Sequence, residues 1–197
     1  MGLFAYDTPY VSTYTLTIEE FTPQILSAER PAYNCAILTY TNPQFRAGPV
    51  TIDKFGLFMR MSRVLDEDLH EAIELTSFVE RPVQLRLLVN LVCSFDDILE
   101  VRELSRTPPR VVQSRYDESS DTLHCTYRDG WFSRDLEYRI LSADSQPRYS
   151  PNLLTFPIHL APQDLKLTGT GSDTQLAVLR ASDGISVEHQ PIAMEDS

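Results

Sequence analysis

Three constellations in this 197-residue chain use residue types that could do chemistry. The first is the acidic group Asp96, Asp97 and Glu100. A pair of carboxylates can run glycoside hydrolysis, one donating a proton while the other acts as base or nucleophile, but the two must stand about 5–9.5 Å apart across a sugar cleft. Residues this close on one turn do not straddle a substrate, so the cluster reads as an interface or solvated turn with Arg102 as ion-pair partner. The second is the aromatic group Trp131, Phe132 and Tyr127, with Tyr6 and Tyr10 as possible neighbours. A ring face can pack on the C–H face of a sugar, and it can equally pack on a neighbouring strand. The third is Gly169-Thr170-Gly171-Ser172, which lacks the Lys-Ser/Thr of a phosphate-binding loop and reads as a turn.

Other chemistries find no support. His70, His124, His159 and His189 are too far apart in sequence for a close metal-binding pair. No Gly-x-Ser-x-Gly occurs to mark a serine hydrolase. The three cysteines, Cys35, Cys93 and Cys125, are odd in number and widely spaced, which argues against a disulfide framework and for a reducing, cytoplasmic setting. No cofactor is expected.

The formal charge of −11 repels phosphate backbones, so nucleic acid is not an expected partner. Scattered Lys and Arg residues offer no polybasic patch for a membrane. The first residues lack the pattern of a signal peptide, and no apolar run approaches the ~20 residues of a membrane span.

The elements that must position these residues read as strands. From Val83 to Cys93 every second residue is apolar, the period of a half-buried strand, and Pro82 starts it. Tyr10 to Ile18 places Tyr10, Tyr14, Leu16 and Ile18 on one face and Val11, Thr13, Thr15 and Thr17 on the other. Further strands are expected at 34–41, 58–64, 71–78, 111–116, 122–127, 131–141, 153–160 and 175–179. Asp129-Gly130 is a strong hairpin signal. One helical turn is expected at 95–103, and 142–152 reads as a polar loop. These features predict an all-β, antiparallel β-sandwich with little helix, over 1–180. Residues 181–197 are expected to form an acidic, disordered tail or linker.

Three stretches carry a resemblance. Gly2-Leu3-Phe4-Ala5-Tyr6-Asp7-Thr8, Glu71 to Phe78, and above all Phe95-Asp96-Asp97-Ile98-Leu99-Glu100-Val101-Arg102 resemble, in order and rough spacing, motifs of the N-terminal domain of glycogen-debranching, amylo-alpha-1,6-glucosidase-like proteins. Tyr127 to Gly130 and Phe156 to Pro162 resemble later strands of that domain. The resemblance spans about Gly2 to Leu167. It implies a β-supersandwich that precedes an (α/α) toroid, and it places the catalytic carboxylates on that toroid, outside these residues. It also implies a hairpin before Gly2. Two departures stand out: the family's Asp-Thr-Arg reads Asp7-Thr8-Pro9, and the glycine after Glu-Val-Arg is Glu103.

The resulting expectation is a non-catalytic accessory domain of a glucan-acting glycoside hydrolase. Asp7, Phe95, Asp96, Asp97, Glu100 and Arg102 are its candidate docking or cleft-rim residues. The alternative is a stand-alone module that holds an α-glucan oligosaccharide on Trp131, Phe132 and Tyr127. With the implied edge hairpin missing, edge-to-edge pairing between copies is an expected hazard.

Overall fold

The computed structural model describes residues 3–5, 8–66, 68–96, 110–129, 132–162 and 172–185. Fifteen strands occur in this order: β1 (Leu3–Ala5), β2 (Thr8–Ile18), β3 (Gln24–Ala32), β4 (Cys35–Thr41), β5 (Phe45–Ala47), β6 (Val50–Ile52), β7 (Leu57–Leu65), β8 (Leu69–Ser77), β9 (Val83–Cys93), β10 (Gln113–Asp117), β11 (Thr122–Asp129), β12 (Phe132–Ala143), β13 (Arg148–Ser150), β14 (Leu153–Leu160) and β15 (Ser172–Ile185). The described residues contain no helix. The expected helical turn falls on Phe95 and Asp96, which are irregular, and on 97–103, which lie outside the described residues.

The strands form a five-stranded sheet in the order β1-β2-β9-β14-β13, an eight-stranded sheet in the order β10-β11-β12-β15-β8-β7-β4-β3, and the small ribbon β5-β6. Every pairing is antiparallel. The two large sheets bury their facing sides against each other in one core, so the architecture is an all-β sandwich.

Periodicity explains the layers. On β9 the alternate residues Val83, Leu85, Leu87, Val89, Leu91 and Cys93 are all buried, while Gln84 and Arg86 are exposed. Leu154, Phe156, Ile158 and Leu160 continue this face on β14, in register with Val89, Leu87, Leu85 and Val83. Burial of each such side chain contributes about 1.5–3 kcal/mol. The opposing face comes from Leu57, Met59 and Met61 on β7, Ile73 and Leu75 on β8, Leu123 and Cys125 on β11, and Leu136 and Tyr138 on β12.

Strict alternation fails on β2. Its register shifts between Val11 and Thr13, so Tyr10 and its neighbour Val11 are both buried. A bulge of this kind inserts one residue and re-aims the next side chain. At the other end of the chain, β15 continues to Ile185 rather than losing structure near Arg180. Its last residues, Ser182 to Ile185, pair with Asp135 to Phe132 on β12. Backbone pairing carries this stretch, which an apolar pattern could not reveal. Residues 186–197 lie outside the described residues.

The eight-stranded sheet is wider than its partner. All nine residues of β3 are exposed and six of the seven residues of β4 are half-buried. Beside β2 this overhang leaves a cleft of about 210 Å³, whose apolar lining includes Leu16, Pro23, Leu38, Tyr40, Met59 and Met61.

Candidate functional site

Of the motif that follows β9, Phe95 and Asp96 are described, and Phe95 is firmly held. Phe95 adopts φ +52°, a left-handed conformation that side chains other than glycine rarely take and that costs on the order of 1–3 kcal/mol. Its surroundings hold it there. The ring is fully buried, edge-on to Tyr10 at 5.3 Å between centroids and stacked with Tyr127 at 6.4 Å. The Phe95 carbonyl accepts a hydrogen bond of 3.0 Å from Nη1 of Arg134 on β12 and a second from Nη1 of Arg110, just ahead of β10. Two cations thus bind one carbonyl, and the end of the five-stranded sheet is fastened to the eight-stranded one.

Two residues assigned to different roles by the sequence therefore meet. Phe95, a docking candidate, packs on Tyr127, a sugar-stacking candidate. The Tyr127 ring also carries the Arg110 guanidinium 5.0 Å from its centroid, and its hydroxyl donates to Asp129 Oδ2 at 3.3 Å. Asp96 is half-buried beside Phe95. Phe132 is placed by its backbone alone, opposite Asp129 and Ile185. Asp7, Asp97, Glu100, Arg102 and Trp131 lie outside the described residues.

A second polar site lies away from the residues that the sequence points to. Arg63 on β7 and Glu71 on β8 are opposite each other in the hairpin register, and Arg63 Nε donates to Glu71 Oε2 at 2.6 Å with both side chains buried. From the other sheet, the Tyr14 hydroxyl donates to Glu71 Oε1, and the Arg63 guanidinium lies 5.4 Å from the Tyr14 ring centroid. Burial, then the neighbouring Tyr138 and Glu71, push the Tyr14 hydroxyl well above the usual tyrosine range. Burial also pushes Tyr138 upward. Both phenols therefore stay protonated, and Tyr14 remains a donor. Burial works against the Arg63 charge, but Glu71 outweighs it and raises the guanidinium further. With donors on both carboxylate oxygens, this is an electrostatic tie between sheets at the end of the cleft. The signal was present in sequence: Arg63 closes the inward row Leu57, Met59, Met61, and Glu71 opens the inward row Ile73, Leu75.

No group of three or more His, Cys, Asp or Glu side chains among the described residues could hold a metal ion. His124 sits 3.6 Å from Glu137 on the surface. No helix of the described residues is long and apolar enough to cross a membrane.

A family model described as the N-terminal domain of (some) glycogen debranching enzymes matches residues 1–168. The chain belongs to this family. The match takes in fourteen of the strands and every motif stretch that carried the resemblance, the Phe95 turn included. No curated protein matches the chain. In this debranching-enzyme N-terminal domain β15 lies beyond the matched region.

Proposed function

We propose that this domain is a non-catalytic accessory unit of a glucan-acting, amylo-alpha-1,6-glucosidase-like hydrolase, and that it packs on a catalytic (α/α) toroid. The observation that carries the reading is the family match over residues 1–168. The build of the Phe95 turn supports it. A left-handed phenylalanine held by two aromatic rings and two arginines is more fixation than a connecting turn needs, and it suits an element that presents the following residues, Asp96 onward, to a partner surface. The work of such a domain is to support the toroid and border its substrate cleft, in the cytoplasm.

A stand-alone carbohydrate-binding module is the competing reading. It has less support from Tyr127, whose ring already packs on Phe95 and carries Arg110. The deciding experiment mixes the purified chain with a separately expressed debranching-enzyme toroid and follows complex formation by light scattering. In parallel, the chain alone is titrated with maltooligosaccharides while hydrolysis is assayed. Complex formation without oligosaccharide binding supports the accessory role. Oligosaccharide binding without a complex replaces it with the module, and turnover by the chain alone overturns both.

A further inference from the structure

Strand β2 has a strand neighbour along only part of its outer edge. On the side away from β9, β1 pairs with Thr8, Pro9 and Val11, and no other strand of the described residues lies beside it. The register fixes where the backbone groups point. Leu91 of β9 stands opposite Tyr14 and turns its N–H the other way, to the carbonyl of Asn152 just ahead of β14. In an antiparallel ladder, both residues of such a pair turn their N–H and C=O groups away from each other. Tyr14 therefore aims its backbone groups outward, and alternation does the same for Leu16 and Ile18. Ile18 exchanges two hydrogen bonds with Phe21. Tyr14 and Leu16 have no such strand partner among the described residues, and they form a short open edge.

The cleft of about 210 Å³ opens beside that edge, with Tyr14 and Leu16 on one wall and Leu38 of β4 and Met59 and Met61 of β7 on the other. A dry apolar cavity of about 150 Å³ accepts a benzene molecule, so this volume has room for an aromatic or branched aliphatic side chain. The flexible thioethers of the two methionines adapt to such a guest. At the inner end, the Arg63 charge is already matched by Glu71. Main-chain hydrogen bonding at strand spacing beside an apolar hole suits an extended polypeptide. Charge narrows the choice further. The chain carries a formal charge of −11, and exposed Glu20 stands in the crossover whose Thr22 and Pro23 line the cleft. A second copy would bring the same negative charge, whereas a basic segment is attracted.

We propose that the open edge of β2 is a strand-addition site that takes a basic, extended segment of another polypeptide and seats one of its apolar side chains in the cleft. The backbone groups of Tyr14 and Leu16 bond the added strand. Its alternate side chains face the cleft on one side and solvent on the other, where the basic residues stand. The site lies further along β2 than the contact of Tyr10 with Phe95, and it does not depend on whether a toroid binds.

The test titrates the full chain with the peptide acetyl-KVKLKVK-amide and follows amide hydrogen exchange by NMR. At a peptide concentration of about ten times Kd, exchange at the Tyr14 and Leu16 amides should slow about tenfold, because only the unoccupied fraction exchanges. At the same concentration, acetyl-KVKPKVK-amide, which lacks the central N–H, and acetyl-EVELEVE-amide, which reverses the charge, should leave both amides at their free rates. Leu38→Lys should abolish the protection, and the peptide comparison on the unsubstituted chain is decisive even if that variant folds poorly. No slowing at either amide, or peptide binding that leaves both unprotected, would overturn the site. Equal protection by the acidic peptide would overturn the basic partner. Protection that rises with protein concentration in the absence of peptide would give the edge to a second copy and overturn the proposal.

Discussion

Arg63 and Glu71 stand directly opposite each other on the β7–β8 hairpin and meet at 2.6 Å in the interior, where Tyr14 of the other sheet completes the carboxylate's hydrogen bonding. A buried pair of this kind has a large cost when half of it is removed and a small one when both halves are replaced. Glu71→Ala should destabilise the domain by about 3–5 kcal/mol, because it strands a buried guanidinium. The double variant Arg63→Met, Glu71→Leu should recover most of that loss. Urea unfolding of the two proteins checks this, and equal losses would contradict it.

The raised tyrosines give an alkaline limit. Tyr14 and Tyr138 hold their protons in the folded state above the ordinary tyrosine value of about 10, while the unfolded chain releases them there. The folded state then binds more protons, so stability is intact below pH ~10 and declines above it, by up to about 1.4 kcal/mol per pH unit for each retained proton. Circular dichroism between about pH 9 and about pH 12 should show a cooperative loss. Tyr138→Phe should make the decline shallower.

Phe95 permits a test that separates ring from backbone. Phe95→Ala should cost about 3–5 kcal/mol for loss of the buried ring. Glycine ordinarily costs about 0.5–1 kcal/mol more than alanine within a strand or helix. At φ +52° that order should reverse, with Phe95→Gly more stable than Phe95→Ala by about 1 kcal/mol. Paired denaturation midpoints are sufficient to see it.

The exposed edge strand β3 carries its own protection. Its register with β4 shifts twice, and the second shift takes in Arg30 and Pro31, a charge and a residue with no N–H. Such features hinder pairing with another chain. The double substitution Arg30→Val, Pro31→Val should shift the chain toward larger species than the unsubstituted protein forms, in size-exclusion chromatography with light scattering. An unchanged size distribution would show that the edge is guarded by something else.

What the sequence made legible follows from what each residue's side chain reports. The alternation in β9 is written in side chains, and so was plain. So was the β11–β12 hairpin, although Asp129 pairs with Phe132, one position on from the pairing that a central Asp-Gly would give. Strand β3 reads Gln-Ile-Leu-Ser-Ala-Glu-Arg-Pro-Ala, without alternation, because neither of its faces is buried and nothing selects a pattern. The three-residue strands β1, β5, β6 and β13 are too short to show a period, and β13 lies inside the segment expected to be a loop. At the site, Phe95 was visible through its motif. Arg110 and Arg134 were not, since their role depends on a carbonyl contributed by the opposite sheet.

The position of β15 sets an order of events for the chain as it is made. The eight-stranded sheet has β15 in its interior, hydrogen-bonded to β12 on one side and β8 on the other. The strands on those two sides are synthesised first, as separate groups, β3-β4-β7-β8 and β10-β11-β12, each with an open edge where the last strand will enter. They can join only after residues 172–185 have left the ribosome. Until then the nascent protein carries two sticky borders rather than one finished layer, and a product stopped at residue 168, where the family match ends, would carry them permanently.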